Sequence, residues 1–268
     1  TRAVAALASG QVAAMTSAQI ASLSSAQIAA LSSTSVAALG SDDLSTFDSA
    51  DIAALQSRSL AGLTTGAFSS LTSSQLAVMA YEQLDALDEA LTGTTISTAE
   101  IKVLSGEQLK ALEDGAGDQL SSAQIRALTT SQLDVVSEFS STQLRTLTTT
   151  QVSGLSLSQL LTESSVDLNG DADTANDYII NSLSSSQVIS LKGTQLDGIS
   201  LMSTGQVAFL TSSQVSKLST DQVQSMTTDQ VKSLTVTQLK ALTTAQMRAL
   251  TETQLRALQG YQYAGLSS

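Results

Sequence analysis

Apolar residues recur every eight positions along most of this chain. In the C-terminal stretch Leu210 opens LTSSQVSK, Leu218 opens LSTDQVQS, and Met226 opens MTTDQVKS. Leu234, Leu242 and Leu250 open LTVTQLKA, LTTAQMRA and LTETQLRA. The consensus is Leu-Thr/Ser-Thr/Ser-x-Gln-Leu/Val/Ile-x-Ala, with apolar side chains at positions 1 and 6. The same grid runs through Leu7, Met15, Leu23, Leu31, Leu39, Phe47, Leu55, Leu63, Leu71, Met79 and Leu87. Roughly thirty such octads fit the chain, the signature of a repeat architecture.

The polar positions say what each octad does. Ser or Thr at position 2 with Gln at position 5 has the spacing of a capping box. The hydroxyl accepts the backbone N–H of position 5, and the Gln side chain reaches back to the N–H of the cap. Positions 1 and 6 are then the two partners of a hydrophobic staple. Leu242, Thr243, Gln246 and Met247 fill these four places in one unit. Every octad therefore carries its own helix start.

One long helix is excluded by the same spacing. Eight residues advance an α-helix by about 2.2 turns, so the leucines would drift around the cylinder. Ala, Leu and Gln favour helix over a β-solenoid, and Gly, Asn and Asp are not periodic enough for β-coils. A lone octad cannot stand, because helices of this length are marginal in water. Neighbours must stack and share a core. The pattern predicts an all-α, elongated solenoid of short capped helices built on an eight-residue repeat.

The interruptions fit that prediction. The grid shifts by three between Val136 and Phe139, and again between Ile199 and Met202. Three residues are close to one helical turn, so the apolar face is kept. The spacing is nine between Leu87 and Ile96, with Thr92-Gly93-Thr94-Thr95 as a turn. After Leu112 the stretch EDGAGDQ reads as a loop or kink. Tyr261 and Tyr263 are expected to close the terminal unit.

The octads stop between Leu155 and Leu183, at Asp167-Leu168-Asn169-Gly170-Asp171-Ala172-Asp173-Thr174-Ala175-Asn176-Asp177-Tyr178. Alternating carboxylate and amide oxygens in a short loop are what Ca²⁺ requires. The first five positions resemble the calcium loop of EF-hand and dockerin modules. That resemblance implies Asp167, Asn169 and Asp171 as metal ligands, with Asp173 and Asp177 as further candidates. The sequence departs at Ala172, where the loop has Gly, and at Tyr178, where it has a bidentate acid. The alternative is a solvated turn rich in Asx caps. These breaks divide the chain into solenoid segments at 1–162 and 183–268, with the acidic loop at 163–182 between them.

Composition narrows the function. Of 268 residues, 42% are hydrophobic, too many for disorder, and 3% are aromatic, too few for a thick core or a well-walled pocket. The chain has no Pro, so helices can follow one another closely, and no Cys, so disulfides and thiolate metal sites are excluded. It has no His, hence no imidazole to activate its many Ser hydroxyls. Phosphate loops and zinc spacings are absent too, and an enzyme is not expected. A net charge of −12 disfavours nucleic acid. No apolar run is long enough to span a membrane. Thr1 stands where an initiator Met would, which points to a piece of a longer chain.

Position 7 is often basic, as at Lys102, Lys110, Arg126, Arg145, Lys232, Lys240, Arg248 and Arg256, with Lys217 one place later, and reads as a solvated face. Acidic residues gather nearer the N-terminal half, including Asp42, Asp43, Asp48, Asp51, Asp85, Asp88 and Glu89. The acidic and basic ends would attract one another. Ser and Thr at positions 2 and 3 would form hydroxyl rows.

Units such as SSAQIAAL (24–31), TTAQMRAL (243–250) and TETQLRAL (251–258) resemble the octapeptide-repeat regions of very large exported alphaproteobacterial proteins of the adhesin type. The resemblance implies an extracellular, cell-surface segment, a structural stalk, fibre or adhesive filament formed by repeat stacking. Self-association into a homo-oligomer or filament and contact with surface polysaccharide are the partners expected, with Ca²⁺ in the loop. The competing function is a binding surface for glycan, ice or another polymer along the Ser/Thr rows.

Overall fold

A computed structural model of the chain describes residues 8–88, 96–113, 120–164, 167–168 and 177–266. Among these the only strand-like pairing is one isolated bridge, Glu163 with Tyr178. The rest is a succession of short helices, and the expected all-α repeat solenoid is borne out. The chain divides into two compact units, residues 1–138 and 139–268.

The octad beginning at Leu234 shows how the sequence makes one edge. Thr235 is extended (φ −70°, ψ 159°) and its side chain accepts the Gln238 N–H, opening the helix Val236–Ala241. Leu242 ends the helix in extended geometry (φ −62°, ψ 133°). Thr243 continues it (φ −67°, ψ 163°) before the next helix, Thr244–Ala249, begins. Two consecutive extended residues, the apolar position 1 and the capping position 2, thus form each corner. Neither needs an unusual backbone angle, which explains how the chain turns so often without proline and with few glycines at the corners.

In the second unit most helices pack on the one three places earlier. The helix Thr228–Ser233 lies between Thr204–Phe209 and Glu252–Ala257. Three octads therefore make one turn of the solenoid. Positions 1 and 6 face inward, as Met226, Val231, Leu234 and Leu239 do, all nearly inaccessible. Position 7 faces out: Lys232, Lys240, Arg248 and Arg256 are exposed.

The three-residue shifts are accommodated by a change of helix type. Gly193–Leu201 is a nine-residue 3₁₀-helix. Such a helix has three residues per turn, so side chains three apart eclipse. Leu196, Ile199 and the following Met202 are accordingly all buried. The first unit is built on the same rule. There Ser57–Leu60 packs against Ser33–Val36 and Tyr81–Asp88, and Thr130–Glu138 is its own nine-residue 3₁₀ edge, with Leu133 and Val136 inside. The turn expected at Thr92–Thr95 and most of EDGAGDQ lie outside the described residues. Tyr261 and Tyr263 are both exposed, and the Tyr263 hydroxyl donates to the Leu255 carbonyl.

Candidate functional site

Two features can carry function: the amide of each position-5 glutamine and the acidic loop. The glutamine has a role that the capping box alone does not reveal. In the second unit Gln230 accepts the Thr227 N–H on Oε1 at 2.7 Å, closing its own helix start. Its Nε2 points inward and donates to the carbonyls of Met202 (2.6 Å) and Ile199 (2.8 Å) in the preceding solenoid turn. Gln238 does the same to Leu210 and Val207, Gln246 to Leu218 and Val215, and Gln254 to Met226 and Val223. In the first unit Gln75 holds Phe47 and Leu44, Gln83 holds Leu55 and Ile52, and Gln132 holds Leu104 and Ile101.

A buried primary amide without partners is strongly unfavourable, about 2–7 kcal/mol on transfer from water. Here both ends are satisfied. Oε1 fastens the local cap, and Nε2 fastens that cap to the turn below. These glutamines are buried, Gln230 only 2% exposed. The sequence holds a signal for this second role. Glu closes a capping box as well as Gln does, yet position 5 is Gln in most octads, with Ser35, Asp43, Asp51, Ser59, Ala67 and Glu100 as exceptions. A carboxylate can only accept, whereas an amide also donates; the Ser59 hydroxyl, at position 5 of its octad, likewise donates to the Leu31 carbonyl 28 residues earlier. Where an acid replaces it, the amide clamp is lost: the Glu100 carboxylate accepts the Ser97 N–H at 2.6 Å, while the Asp43 and Asp51 carboxylates close their caps and accept the Ser17 and Ser25 hydroxyls of the preceding turn instead.

The acidic loop belongs to the second unit. After the helix Leu157–Leu160 the chain pairs Glu163 with Tyr178 in the antiparallel bridge. The Ser164 N–H donates to the Asp177 carbonyl (2.9 Å), and the Ile179 N–H to the Thr162 carbonyl (3.3 Å). The loop thus leaves and returns at one point on an edge. Gln187 still clamps Leu147 and Leu144, across 40 and 43 residues instead of the usual 28 and 31. The difference is a twelve-residue insertion that leaves the stack in register.

Of the five residues predicted as metal ligands, Asp167 and Asp177 are described; Asn169, Asp171 and Asp173 lie outside the described residues. Asp177 is 3% exposed, and its Oδ2 accepts the Leu168 N–H at 2.8 Å, joining the two ends of the loop. Asp167 is half-buried. Among the described residues no cluster of three or more carboxylates forms a metal site. Partial burial pushes the Tyr178 phenol above its ordinary range, and the Glu163 carboxylate, to which it hydrogen-bonds, adds to the effect.

No helix among the described residues is long and apolar enough to cross a membrane. Neither a curated protein nor a solved structure matches the chain. The ALTTAQ repeat family matches residues 4–41 and 199–236, one stretch in each compact unit. The six letters of that name stand here at 241–246. With two copies of the ALTTAQ repeat in a solenoid of capped octads, this chain is a repeat protein.

Proposed function

We propose that the chain is a structural, non-catalytic repeat segment of the bacterial cell surface, which forms a stalk or adhesive fibre by stacking of its turns. The glutamine clamp is the observation that carries this reading. Hydroxyls, amides and apolar side chains of the octads are engaged in building turns and fastening them to one another, which suits a load-bearing element. The octads' resemblance to exported alphaproteobacterial repeats supports the surface location. An antibody against the chain should label intact, unpermeabilised cells of the source bacterium. Labelling only after permeabilisation would place the protein inside and overturn the surface role.

Within the same reading the acidic loop takes up Ca²⁺, through Asp167, Asn169 and Asp171 with help from Asp173 and Asp177. What supports it is the donor set and the closed base that holds the two ends of the loop together.

A second reading is a binding face for glycan, ice or another polymer. It draws on the exposed hydroxyls of Thr220 and Thr244, which share position 3 on successive turns of one edge. A glycan array and an ice-recrystallisation assay separate the two, because a pure spacer acts in neither.

A further inference from the structure

One place inside the second unit breaks the uniform stacking of turns. Gln214, at position 5 of the octad opened by Leu210, donates to the carbonyls of Leu191 and Val188 at 3.0 Å each. These acceptors lie 23 and 26 residues back, instead of the usual 28 and 31. The turn beneath carries the 3₁₀ edge Gly193–Leu201, and the helix above it, Ser212–Ser216, has only five residues. Between the two lies a hollow of about 290 Å³. Leu191 and Leu196 give it an apolar lining, Ser213 a hydroxyl, and Lys192 and Lys217 their ammonium groups. Octads flank it on both sides along the chain.

The lysines set this hollow apart. The chain carries a net charge of −12, yet no acidic residue lines it. Both lysines are exposed, and among the described residues neither ammonium has a hydrogen-bond or ion-pair partner. Asp197, on the same 3₁₀ edge, is occupied elsewhere: its Oδ1 accepts the Gln222 Nε2 at 2.6 Å.

We propose that the hollow binds one carboxylated sugar ring of an acidic polysaccharide. Lys192 and Lys217 take the carboxylate, as ammonium groups do in charge-assisted hydrogen bonds. The leucines meet the C–H face of the ring, and Ser213 meets one of its hydroxyls. Charge complementarity selects this occupant over a neutral glycan, and the apolar lining selects a sugar over a bare anion. The volume is near the lower bound of about 300 Å³ for small-ligand sites, which suits a single ring. The site goes beyond the hydroxyl row of Thr220 and Thr244, which lies on a different edge, so either can fail alone.

The test is isothermal titration calorimetry of the chain with tetragalacturonate, with neutral maltotetraose and a polyacrylate of equal charge as comparisons. The wild-type chain should bind tetragalacturonate at least about tenfold more tightly than either. Lys192→Ala/Lys217→Ala should weaken that binding at least about tenfold, and Lys232→Ala/Arg248→Ala, which removes equal charge elsewhere, less than about twofold. Gly193→Gln tests the hollow itself. A Cβ there meets nothing within 4 Å, so the new side chain can fill the space without moving the backbone, and binding should weaken while both lysines remain. No binding of tetragalacturonate by the wild-type chain, equal losses in the two double variants, or equally tight binding of polyacrylate would each overturn the site. Tetragalacturonate binding undiminished by Lys192→Ala/Lys217→Ala would overturn it too, and would leave the hydroxyl-row reading standing.

Discussion

Gln230 and Met202 stand 28 residues apart, and the Nε2 of one lies 2.6 Å from the carbonyl oxygen of the other. That separation is three octads plus the step from position 1 to position 5, so a single hydrogen bond fixes the period of the solenoid. Gln230→Glu should keep the cap and lose the clamp, setting a carboxylate against two carbonyl oxygens. We expect a loss of about 3 kcal/mol or more, from unsatisfied acceptors and a buried charge. Gln19→Glu, on an exposed glutamine, should change stability by less than about 0.5 kcal/mol. Urea denaturation of the two variants checks the contrast, and equal losses would refute the clamp's energetic role.

Leu234 is 2% exposed, at the corner between two clamped helices. Leu234→Ala should cost about 2–5 kcal/mol. Leu242→Ala, at the same repeat position but half-exposed, should cost clearly less. The same denaturation experiment reads both, and it tests whether burial is set by place in the stack rather than by place in the octad.

Gly62 shows a backbone approach that only glycine permits. A Cβ there would sit 1.9 Å from the Ser33 carbonyl oxygen, one solenoid turn away. Backbone cannot yield as a flexible side chain can. Gly62→Ala should lower the melting temperature of the chain by several degrees, whereas Gly66→Ala, which meets nothing within 4 Å, should leave it in place or raise it.

The acidic loop makes two separable predictions. Ca²⁺ should raise the melting temperature, and Asp171→Ala should abolish the rise; no shift on titration would remove the metal from the account. Separately, replacing residues 166–177 by a short Gly-Ser link should leave the helical circular dichroism intact, because Gln187 already clamps Leu147 across the insertion.

Tyr178 supplies a pH dependence. Its folded pKa is raised by partial burial and by Glu163, so the protonated phenol is the form that the fold favours. The contribution is therefore fully present below the ordinary tyrosine range and is lost as pH climbs through the raised value. Tyr178→Phe should remove this alkaline component from a plot of stability against pH, while Tyr261→Phe should not.

Much of this fold is written in its letters. The octad spacing, the Ser/Thr-x-x-Gln cap and the staple pair Leu242/Met247 give the helix starts directly, because each is a contact between near neighbours. The three-residue shifts could be read as preserving the apolar face, although the switch to 3₁₀ winding at Gly193–Leu201 could not. What stayed hidden was long-range. Nothing local in LTVTQLKA says that the Gln238 amide will find Leu210, or that three octads make a turn. The persistent choice of Gln over Glu was the available clue, and it has meaning only once a second turn lies beneath the first. At the acidic loop the donor set was legible, and the paired base that carries it was not, since the backbone bridge of Glu163 and Tyr178 joins residues fifteen apart with no repeat spacing to announce it.

The clamp also has a direction in time. Every inter-turn glutamine amide bond described here reaches back to a carbonyl earlier in the chain, never forward. On the ribosome, each glutamine therefore emerges after its acceptors, and a new turn can settle on one already in place. We expect nascent chains to acquire protease resistance in steps of about three octads as synthesis proceeds, in keeping with nearest-neighbour stability in solenoids. Resistance that appeared only after release of the whole chain would show that growth and folding are uncoupled.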